Sequence, residues 1–410
     1  MATIGVICEY DPFHLGHENM IRQARRALGD EAAPVVCVQS GDFVQRGEAA
    51  LWDKFARAEA ACRCGADLAI ELPLPWVLSS AEGFARGGVG LLGALGVSHI
   101  AFGSESGDLP GLERLAEALL DPRFVAALKQ RMAADGTLSF PAAREQLARE
   151  RLGDEAAELL RRPNDILALE YLKQVYDQRL EMTPLPVKRL GASHDESGDE
   201  GRTEGPLSAS QLRRMLRAGR DIAPWIPAGS AAVIARERVR GREILDPDAL
   251  EIALLSRLRM LEREDFLRLP DARDGAGERL WRAVQEQAGL DAVLAAAKTK
   301  RYAMARLRRM ALCAALQIPD GLQRETPPYA RVLAFTERGQ ALLHALSDKA
   351  RLPLIAKPAA LRRLGGEAER VFSLCAKAYD LYVLGRPAPA ERRPGEDWRT
   401  GPMRVGESAG

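Results

Sequence analysis

The feature that most constrains this chain is an apolar segment near the N-terminus that runs directly into two histidines. Residues 3–9 are mostly apolar and β-branched, which is typical of a strand covered on both faces. The pair Asp11-Pro12 ends this strand, because the residue before a proline is driven out of helical conformations. A helix is predicted over residues 15–28. Residues 14–17, with the sequence HLGH, therefore lie where that helix begins.

Such a turn is suited to binding a phosphate group. The N-terminal amides and the positive dipole end of a helix attract anions, and Gly16 allows a phosphate or an adenine to approach the backbone. His14 and His17 are three residues apart, so both rings can lie on one face of the first turn and contact one phosphoryl group. Two other interpretations stay open on these residues alone. The histidines can pack without a ligand, or they can bind a metal with Asp11 or Glu18 as the nearest carboxylate.

The composition indicates a globular protein with more than one hydrophobic core. The 410 residues suffice for two or three domains, and 47% of them are hydrophobic and 28% charged. The sequence lacks apolar runs of about 18 uncharged residues and signal-peptide features, so we predict a cytoplasmic protein without a membrane partner. The six cysteines are scattered and are predicted to be reduced and mostly buried. Because the net charge is only +1, a surface for nucleic acid would have to be local.

The order of the predicted elements favours an α/β fold with a Rossmann-like parallel sheet, spanning residues 1–228. Sheets of this kind bind ligands beyond the carboxyl ends of their strands, and the polar loops of the first half fall at those ends. The strands are predicted at residues 3–9, 35–39, 67–72, 99–103 and 185–190. The helices are predicted at about residues 16–28, 53–64, 79–95, 110–133, 141–160 and 164–179.

The loop after the second strand is a candidate for substrate binding. It carries Asp42, Gln45 and Arg46 between two glycines, so it can close over a substrate. Arg46 can bind a carboxylate or a phosphate, and Asp42 can bind a metal or a ribose. A solvated loop whose glycines only form turns is the alternative interpretation.

Gly103, at the end of the fourth strand, can let an adenine approach the backbone, or it is an ordinary turn glycine.

Two later helix starts carry polar side chains that suit a nucleotide. Asn164 lies where a helix is predicted to begin, and it can either contact the ligand or cap the helix. Segment 207–214, LSASQLRR, places two serines at a helix start and an arginine one turn later. Ser210 and Arg213 can therefore hold the outer phosphates of a nucleotide. A capping serine beside a solvated arginine is the alternative.

Taken together, the motifs resemble those of the HIGH nucleotidylyltransferase superfamily, which has HxGH after the first strand and SxSxxR at the last helix. The interior motifs are more specific and resemble the tRNA(Met) cytidine acetate ligase family. In order, they are CEYDPFHLGH, SGDFVQRGE, ADLAIELP, FGSE, RRPNDILALEYL, PLPVKRLGASHD and LSASQLRRML. The resemblance continues to about residue 390.

The resemblance implies an ATP-dependent ligase that acts on tRNA. Such an enzyme activates acetate as acetyl adenylate with release of pyrophosphate, and then acetylates N4 of the wobble cytidine of elongator tRNA(Met). His14 and His17 would be the catalytic pair that stabilises charge at the α-phosphorus, and Mg²⁺ would accompany the ATP. Carried over by position, the ATP-binding residues are Ile7, Cys8, Glu9, Tyr10, Asp11, Pro12, Phe13, His14, Leu15, Gly16, His17, Glu18, Asn19, Met20, Gly103, Asn164, Arg189, Ser210 and Arg213.

This chain departs from the family's pattern at two positions. Asp11 and Asp42 stand where members often have asparagine. Each replaces an amide donor with a carboxylate that, when ionised, only accepts hydrogen bonds, close to a polyanionic ligand. We expect ATP binding to survive if a metal or the arginines compensate, with reduced affinity or altered substrate choice as the other outcome.

The second half of the chain has a different character. Residues 245–390 show helical patterns almost throughout and predict an all-α, tRNA-binding domain. Segment 298–309 combines six cations with one aromatic and no acid, which suits an RNA backbone and an unpaired base, although a solvated helix face is the alternative. The residues concerned are Lys298, Lys300, Arg301, Tyr302, Arg306, Arg308 and Arg309. Residues 391–410 lack apolar periodicity and are predicted to be disordered.

Two rival functions remain open at this level. The chain could be an adenylyltransferase for a small phosphorylated metabolite, but such enzymes need only the α/β domain. It could also be a noncatalytic protein that binds tRNA or a nucleotide. The HLGH and SASQLRR motifs are intact, which argues against a noncatalytic protein.

Overall fold

The computed structural model describes residues 2–135, 138–188 and 207–406 of the chain. Its strands are β1 (Ile4–Cys8), β2 (Val35–Ser40), β3 (Phe43–Val44), β4 (Glu48–Ala49), β5 (Leu68–Leu72), β6 (His99–Ser104), β7 (Thr183–Lys188), β8 (Ala330–Phe335), β9 (Leu354–Ile355) and β10 (Met403–Arg404). The helices of the first half are α1 (Leu15–Leu28), α2 (Lys54–Arg63), α3 (Leu74–Val77), α4 (Ala81–Ala94), α5 (Leu109–Leu120), α6 (Pro122–Ala134), α7 (Phe140–Leu152), α8 (Asp154–Leu159), α9 (Pro163–Asp177), α10 (Ala209–Arg217) and α11 (Ala228–Val239). Those of the second half are α12 (Glu251–Arg259), α13 (Arg263–Leu267), α14 (Ala276–Glu286), α15 (Leu290–Ala297), α16 (Met304–Leu316), α17 (Glu337–Ser347), α18 (Ala359–Leu364), α19 (Gly366–Tyr382) and α20 (Glu396–Arg399).

The central sheet has the strand order β10-β8-β5-β2-β1-β6-β7, and β9 pairs with β8 beside this path. Neighbouring strands are parallel except for β5 and β8. Side chains of β2 alternate between two cores, with Val36 and Val38 in one and Val35 and Cys37 in the other. This double burial explains the unbroken apolar runs in the sequence. The predicted α/β class with a mostly parallel sheet is confirmed.

Two of the predicted helices are each divided in two. The pattern at 110–133 is broken at Asp121, which caps a second helix that begins with Pro122. The pattern at 141–160 is broken at Gly153, whose φ of +94° lies in the left-handed region. In both cases the backbone preference of one residue overrides the apolar periodicity that predicted a single helix.

The second half is mainly helical, as predicted, but three of its strands extend the sheet of the first half. β8 lies antiparallel to β5, with Arg331 opposite Glu71, and it pairs in turn with β9 and β10. The description of this half as all-α is therefore corrected. The β8 sequence, ARVLAF, is so short that its apolar run does not distinguish a buried strand from a buried helical turn. The division into domains 1–228 and 245–390 stays a prediction.

The prediction of a disordered tail is contradicted for residues 391–406. This segment contains α20 and β10, and β10 pairs with β8. Trp398 packs edge-on against Phe372 with 4.5 Å between the ring centroids. One aromatic side chain and a short strand therefore attach a segment that has no apolar periodicity. Residues 407–410 lie outside the described part of the chain.

A group of buried charges also attaches this segment to the sheet. Asp397 binds Lys54 on α2 at 2.8 Å and Arg331 on β8 at 2.6 Å. Glu71 on β5 binds the same two cations, at 2.8 Å and 3.0 Å. The four side chains are at most 1% exposed. Because a buried charge is stable only when it is paired and hydrogen-bonded, each of these residues depends on the others.

The cysteines agree with the sequence prediction of reduced, buried thiols. All six are buried, and none forms a disulfide. Burial raises the pKa of the Cys313 and Cys375 thiols to about 12, which keeps both protonated and unreactive. Across the described ranges, no helix combines the length and the apolar character needed to cross a bilayer.

Replacing Asp397 by alanine is expected to destabilise the whole fold. The substitution removes hydrogen-bonded charge from two buried cations, Lys54 and Arg331, so we expect the free energy of unfolding to fall by about 3 kcal/mol. Urea denaturation followed by circular dichroism measures this change. The control is Glu286→Ala, because Glu286 is exposed. Equal unfolding midpoints for the two variants would contradict this role of Asp397.

Candidate active site

The candidate site lies beyond the carboxyl ends of the parallel strands. β1 has β2 on one side and β6 on the other, so the strand order reverses at β1. A crevice opens at such a reversal, and ligands of open parallel sheets bind there. The loops that follow β1, β2 and β6 all start at this edge, as the sequence predicts.

The two histidines form a reciprocal cap at the start of α1. His14 is the N-cap residue, and its Nδ1 accepts a hydrogen bond from the Gly16 amide at 3.0 Å. The Nδ1 of His17 accepts from the His14 amide at 3.3 Å. The two rings stack with 3.6 Å between their centroids. Because both Nδ1 atoms accept, the neutral rings carry their protons on Nε2, which is the atom that can donate to a phosphoryl oxygen.

The turn before α1 holds these rings in place. The ring centroids of Tyr10 and Phe13 lie 4.8 Å and 5.5 Å from that of His17. Tyr10 has a φ of +49°, and the peptide bond between Asp11 and Pro12 is cis. A non-glycine residue in the left-handed region is uncommon and persists where the surrounding packing determines the backbone. The sequence carries no signal for the conformation of Tyr10.

The predicted ATP-binding run, residues 7–20, differs in exposure along its length. Its buried members are Cys8, Tyr10, Asp11, Pro12, Phe13 and His14. Leu15 is exposed, and the partly exposed members are Ile7, Glu9, Gly16, His17, Glu18, Asn19 and Met20. The buried members shape the turn, and which members of the run contact ATP stays a prediction.

The loop after β2 is attached to the end of β1. The Gln45 amide donates to Oε1 of Glu9 at 2.6 Å, and the Gln45 side chain donates to the Ser79 carbonyl at 3.2 Å. Burial raises the pKa of the Glu9 carboxyl, while the Gln45 amide and the charge of Arg213 lower it to a smaller extent. Arg46 is exposed on the same loop. This loop therefore lies beside the end of β1, and its role as a substrate loop stays a prediction.

Asp42 has a structural role instead of the predicted one. Its Oδ1 accepts from the Lys54 amide at 3.0 Å, and its Oδ2 lies 3.4 Å from the Lys54 Nζ. Both oxygens are thus directed at Lys54, and the hypothesis that Asp42 binds a metal or a ribose is corrected. Burial raises the pKa of Asp42 to about 6, although the charge of Lys54 lowers it. Asp42 is therefore the third carboxylate around the buried cations Lys54 and Arg331.

Arg213, hydrogen-bonded to Ser210 at the start of α10, reaches Asp11, three residues before the HLGH turn. Arg213 donates to the Asp11 carbonyl at 2.7 Å and to the Ser210 hydroxyl at 3.3 Å, and it lies 3.8 Å from the Asp11 carboxylate. The other Asp11 oxygen accepts from the Leu51 amide at 2.9 Å. The helix cap is Ser208, so the capping interpretation does not apply to Ser210. Asp11 and Asp42, which stand where family members often have asparagine, thus both accept hydrogen bonds from backbone amides of this protein.

A residue that the sequence prediction missed connects the loops after β1 and β2. Arg57 is buried in α2 and donates to the carbonyls of Trp52 and Ser40, both at 3.0 Å. It also donates to the carbonyls of Glu9 and Gly41. One guanidinium thereby fixes the spacing between the two loops. An arginine in the middle of a helix carries no sequence signal for such a role.

Two predicted nucleotide contacts, Gly103 and Asn164, belong to β6 and to the start of α9, whose first turn lies against the end of β6. Gly103 lies within β6, and Glu105 follows the strand. The Asn164 side chain donates to Oε1 of Glu105 at 2.6 Å. Arg162 occupies the N-cap position of α9, so the interpretation of Asn164 as the cap is wrong. The predicted contact Arg189 lies outside the described residues.

The basic segment of the second half is only partly a surface. Lys298, Lys300 and Arg301 are exposed. Tyr302 is 4% exposed, and its hydroxyl donates to the Asp274 carbonyl, so the prediction that it stacks an unpaired base is contradicted. The guanidinium of Arg306 lies 5.1 Å from the Tyr302 ring centroid and covers it.

The other two cations of this segment pack against the loop after β2. Arg308 pairs with Glu48, and Arg309, which is 8% exposed, donates to the Gln45 carbonyl at 3.2 Å. Burial lowers the pKa of Arg309. Gly47, with a φ of +77°, allows this contact, because a Cβ there would lie 2.6 Å from the Arg309 amide nitrogen. The loop and the helical half are therefore in direct contact.

A resident metal centre is not formed by the described side chains. Within residues 2–135, 138–188 and 207–406, no group of three or more histidine, cysteine, aspartate or glutamate side chains is placed to hold a metal ion. The described residues therefore offer no third ligand for a metal ion bound by His14 and His17.

A histidine pair at a helix start, at the point where a parallel sheet reverses its strand order, is typical of an α/β nucleotide-binding enzyme. The chain belongs to the HIGH Nucleotidyl Transferase family, whose model matches residues 1–397.

Relatives with assigned names are similar over nearly the whole chain. A tRNA(Met) cytidine acetate ligase of Syntrophomonas wolfei is 34% identical, covering 98% of this chain and 99% of its own. One of Syntrophotalea carbinolica is 36% identical, with coverages of 93% and 90%. Among solved structures, Thermotoga maritima TmcAL bound with alpha-thio ATP has a TM-score of 0.90 at 29% identity, covering 99% of this chain and all of that one.

Asp42→Asn is expected to change how stability depends on pH. Burial raises the pKa of Asp42 from its ordinary value of 3.8 to about 6 in the folded protein. The protonated side chain therefore makes its full contribution to the free energy of unfolding below pH 3.8, and this contribution is lost as the pH rises through about 6. The asparagine keeps the acceptor for the Lys54 amide and has no charge to bury. The variant should therefore gain up to about 3 kcal/mol of unfolding free energy near neutral pH and almost none near pH 4.

Urea denaturation at several pH values between about 4 and 8 tests this expectation. Asp291→Asn is the matched control, because Asp291 is exposed. A gain from Asp42→Asn that is the same at every pH would contradict the assigned cause.

Proposed function

We propose that this protein is an ATP-dependent ligase that acetylates tRNA. It activates acetate as acetyl adenylate and transfers the acetyl group to N4 of the wobble cytidine of elongator tRNA(Met). The observation that carries the proposal is the stacked histidine pair at the start of α1, with both Nδ1 atoms occupied by backbone amides. The similarity to named ligases over nearly the full chain supports the substrates.

In the first step an oxygen of acetate attacks the α-phosphorus of ATP. A bond forms between that oxygen and the phosphorus, the bond to the β-phosphate oxygen breaks, and pyrophosphate leaves. Negative charge grows on the equatorial oxygens, where the Nε2 donors of His14 and His17 and the helix start stabilise it. Arg213, hydrogen-bonded to Ser210, lies on the side of α10 and binds the outer phosphates.

Magnesium is proposed to enter with the nucleotide. The phosphates supply the oxygen ligands that Mg²⁺ prefers, and this ion usually keeps several waters in place of protein ligands. That arrangement fits the lack of a carboxylate cluster among the described residues. The ion would assist the departure of pyrophosphate.

In the second step the exocyclic amine of cytidine attacks the acyl carbon of acetyl adenylate. A bond forms between N4 and the acyl carbon, the bond to the phosphate oxygen of AMP breaks, and the amine loses one proton as AMP leaves. The mixed anhydride is already activated, so the chain need not supply a covalent nucleophile. Its task is to hold the base and the adenylate together and to exclude water.

The tRNA is proposed to lie across the second half, residues 245–390, and the loop after β2. Lys300 and Arg301 are exposed, and Arg46 is exposed on the loop against which α16 packs. These cations can follow a phosphate backbone up to the crevice. The cytoplasm, where tRNA and ATP are both present, is the proposed location.

The direct test supplies ATP, labelled acetate and a tRNA(Met) transcript. We expect N4-acetylcytidine at the wobble position, identified by nuclease digestion and mass spectrometry. A transcript with uridine at that position is the control. Adenylylation of a small phosphorylated metabolite, without any acetylated nucleoside, would replace this proposal with the rival one.

Alanine variants should separate the two steps. His14→Ala and His17→Ala each remove one donor to the α-phosphoryl group, so acetate-dependent pyrophosphate exchange should fall by about 10²- to 10³-fold. Binding of tRNA, measured by filter retention, should stay unchanged.

The combined variant Lys300→Ala and Arg301→Ala is the reciprocal control. It should weaken tRNA binding and flatten its salt dependence, because fewer counterions are released, while pyrophosphate exchange is kept. Histidine variants that lose tRNA binding but still exchange pyrophosphate would show that the two steps are assigned to the wrong regions.

A further inference from the structure

One oxygen of Glu105 has no hydrogen-bond partner at the edge of the crevice. Glu105 directly follows β6, and its Oε1 accepts from the Asn164 side chain at 2.6 Å. Its Oε2 is buried, and among the described residues no hydrogen bond reaches that atom. A buried carboxylate oxygen without a donor is uncommon and costly, so it calls for a physical explanation.

The surroundings of Glu105 hold it in this position. Asp165 is fully buried and accepts from the amides of Glu105 at 3.0 Å and Ser106 at 3.1 Å. The backbone and one side-chain oxygen of Glu105 are therefore both fixed from α9. Since the side chain is held while Oε2 lacks a donor, the arrangement is suited to a donor that a ligand brings.

The position of β6 identifies that donor. β6 is the direct neighbour of β1, so Glu105 and the HLGH turn border the same crevice. When the phosphates lie at the start of α1, the sugar is the next group of the nucleotide along the crevice. In dinucleotide-binding sheets an acidic side chain accepts a hydrogen bond from a ribose hydroxyl, and Glu105 offers the same chemistry here.

We propose that Oε2 of Glu105 accepts a hydrogen bond from a ribose hydroxyl of the bound ATP. Glu105 is thereby a specificity-determining residue that selects ribonucleotides, and Asn164 is the residue that positions it. This inference rests on the proposed function in one respect, which is that ATP is the nucleotide.

Binding measurements test the inference without relying on the reaction. Isothermal titration calorimetry gives the Kd of ATP, 2′-deoxyATP, 3′-deoxyATP and inosine triphosphate for the unsubstituted protein and for Glu105→Ala. The unsubstituted protein should bind one of the two deoxy analogues about 10- to 100-fold more weakly than ATP. In Glu105→Ala that ratio should approach one.

Two further variants make the result specific. Glu105→Gln keeps the acceptor for Asn164 and replaces Oε2 with a neutral donor, so it should lose only part of the discrimination, because the amide can still donate to the hydroxyl oxygen. Glu117→Gln, on an exposed position of α5, should keep it. Because each ratio compares ligands on one protein, a general loss of stability does not mimic the effect.

The outcomes distinguish this inference from the proposed function. Unchanged discrimination in Glu105→Ala would overturn the inference. The inference would also fail if Glu105→Ala lost only the discrimination against inosine triphosphate, because Glu105 would then contact the amino group of the base. An unsubstituted protein that binds ATP selectively but shows no acetate-dependent pyrophosphate exchange would overturn the proposed function and leave the role of Glu105 supported.

Discussion

The structure depends above all on two buried cations, Lys54 and Arg331, and the carboxylates around them. Removing such charges from water is costly, and the cost is offset only when each is paired with good geometry. Here Glu71 and Asp397 bind both cations, from a central strand and from the C-terminal segment. These four side chains consequently join the sheet, the second half of the chain and the last residues to one another.

The geometry of the candidate site depends on the same group of buried charges. Asp42, at the start of the loop after β2, is held by Lys54, and Arg57 collects carbonyls from this loop and from the end of β1. Arg309 adds a contact from the second half to Gln45. A loop fixed by three different elements can place substrates reproducibly, which is what catalysis by positioning requires. The charges that stabilise the fold therefore also determine the site.

Local patterns were sufficient for much of the fold and part of the site. β1 and β2 are apolar on both faces, and the proline at position 12 marks the end of the first strand, so their positions follow from backbone preferences and burial. The pairing of His14 with His17 follows from their spacing at a helix start. The mutual capping of these rings through Nδ1 does not, because it depends on the exact backbone of the turn.

By itself, the sequence determined the parallel sheet, the helix start that carries the histidines, and the family. Only the tertiary structure decided which polar residues face the crevice and which are buried. Asp42 and Tyr302 are polar in composition and lie in segments predicted to contact substrate, yet both are inside. The physical reason is that a charge can be buried only where partners lie within reach, and one of the partners of Lys54 is Asp397, 343 positions away. A pattern of neighbouring residues cannot show a contact between positions so far apart in the sequence.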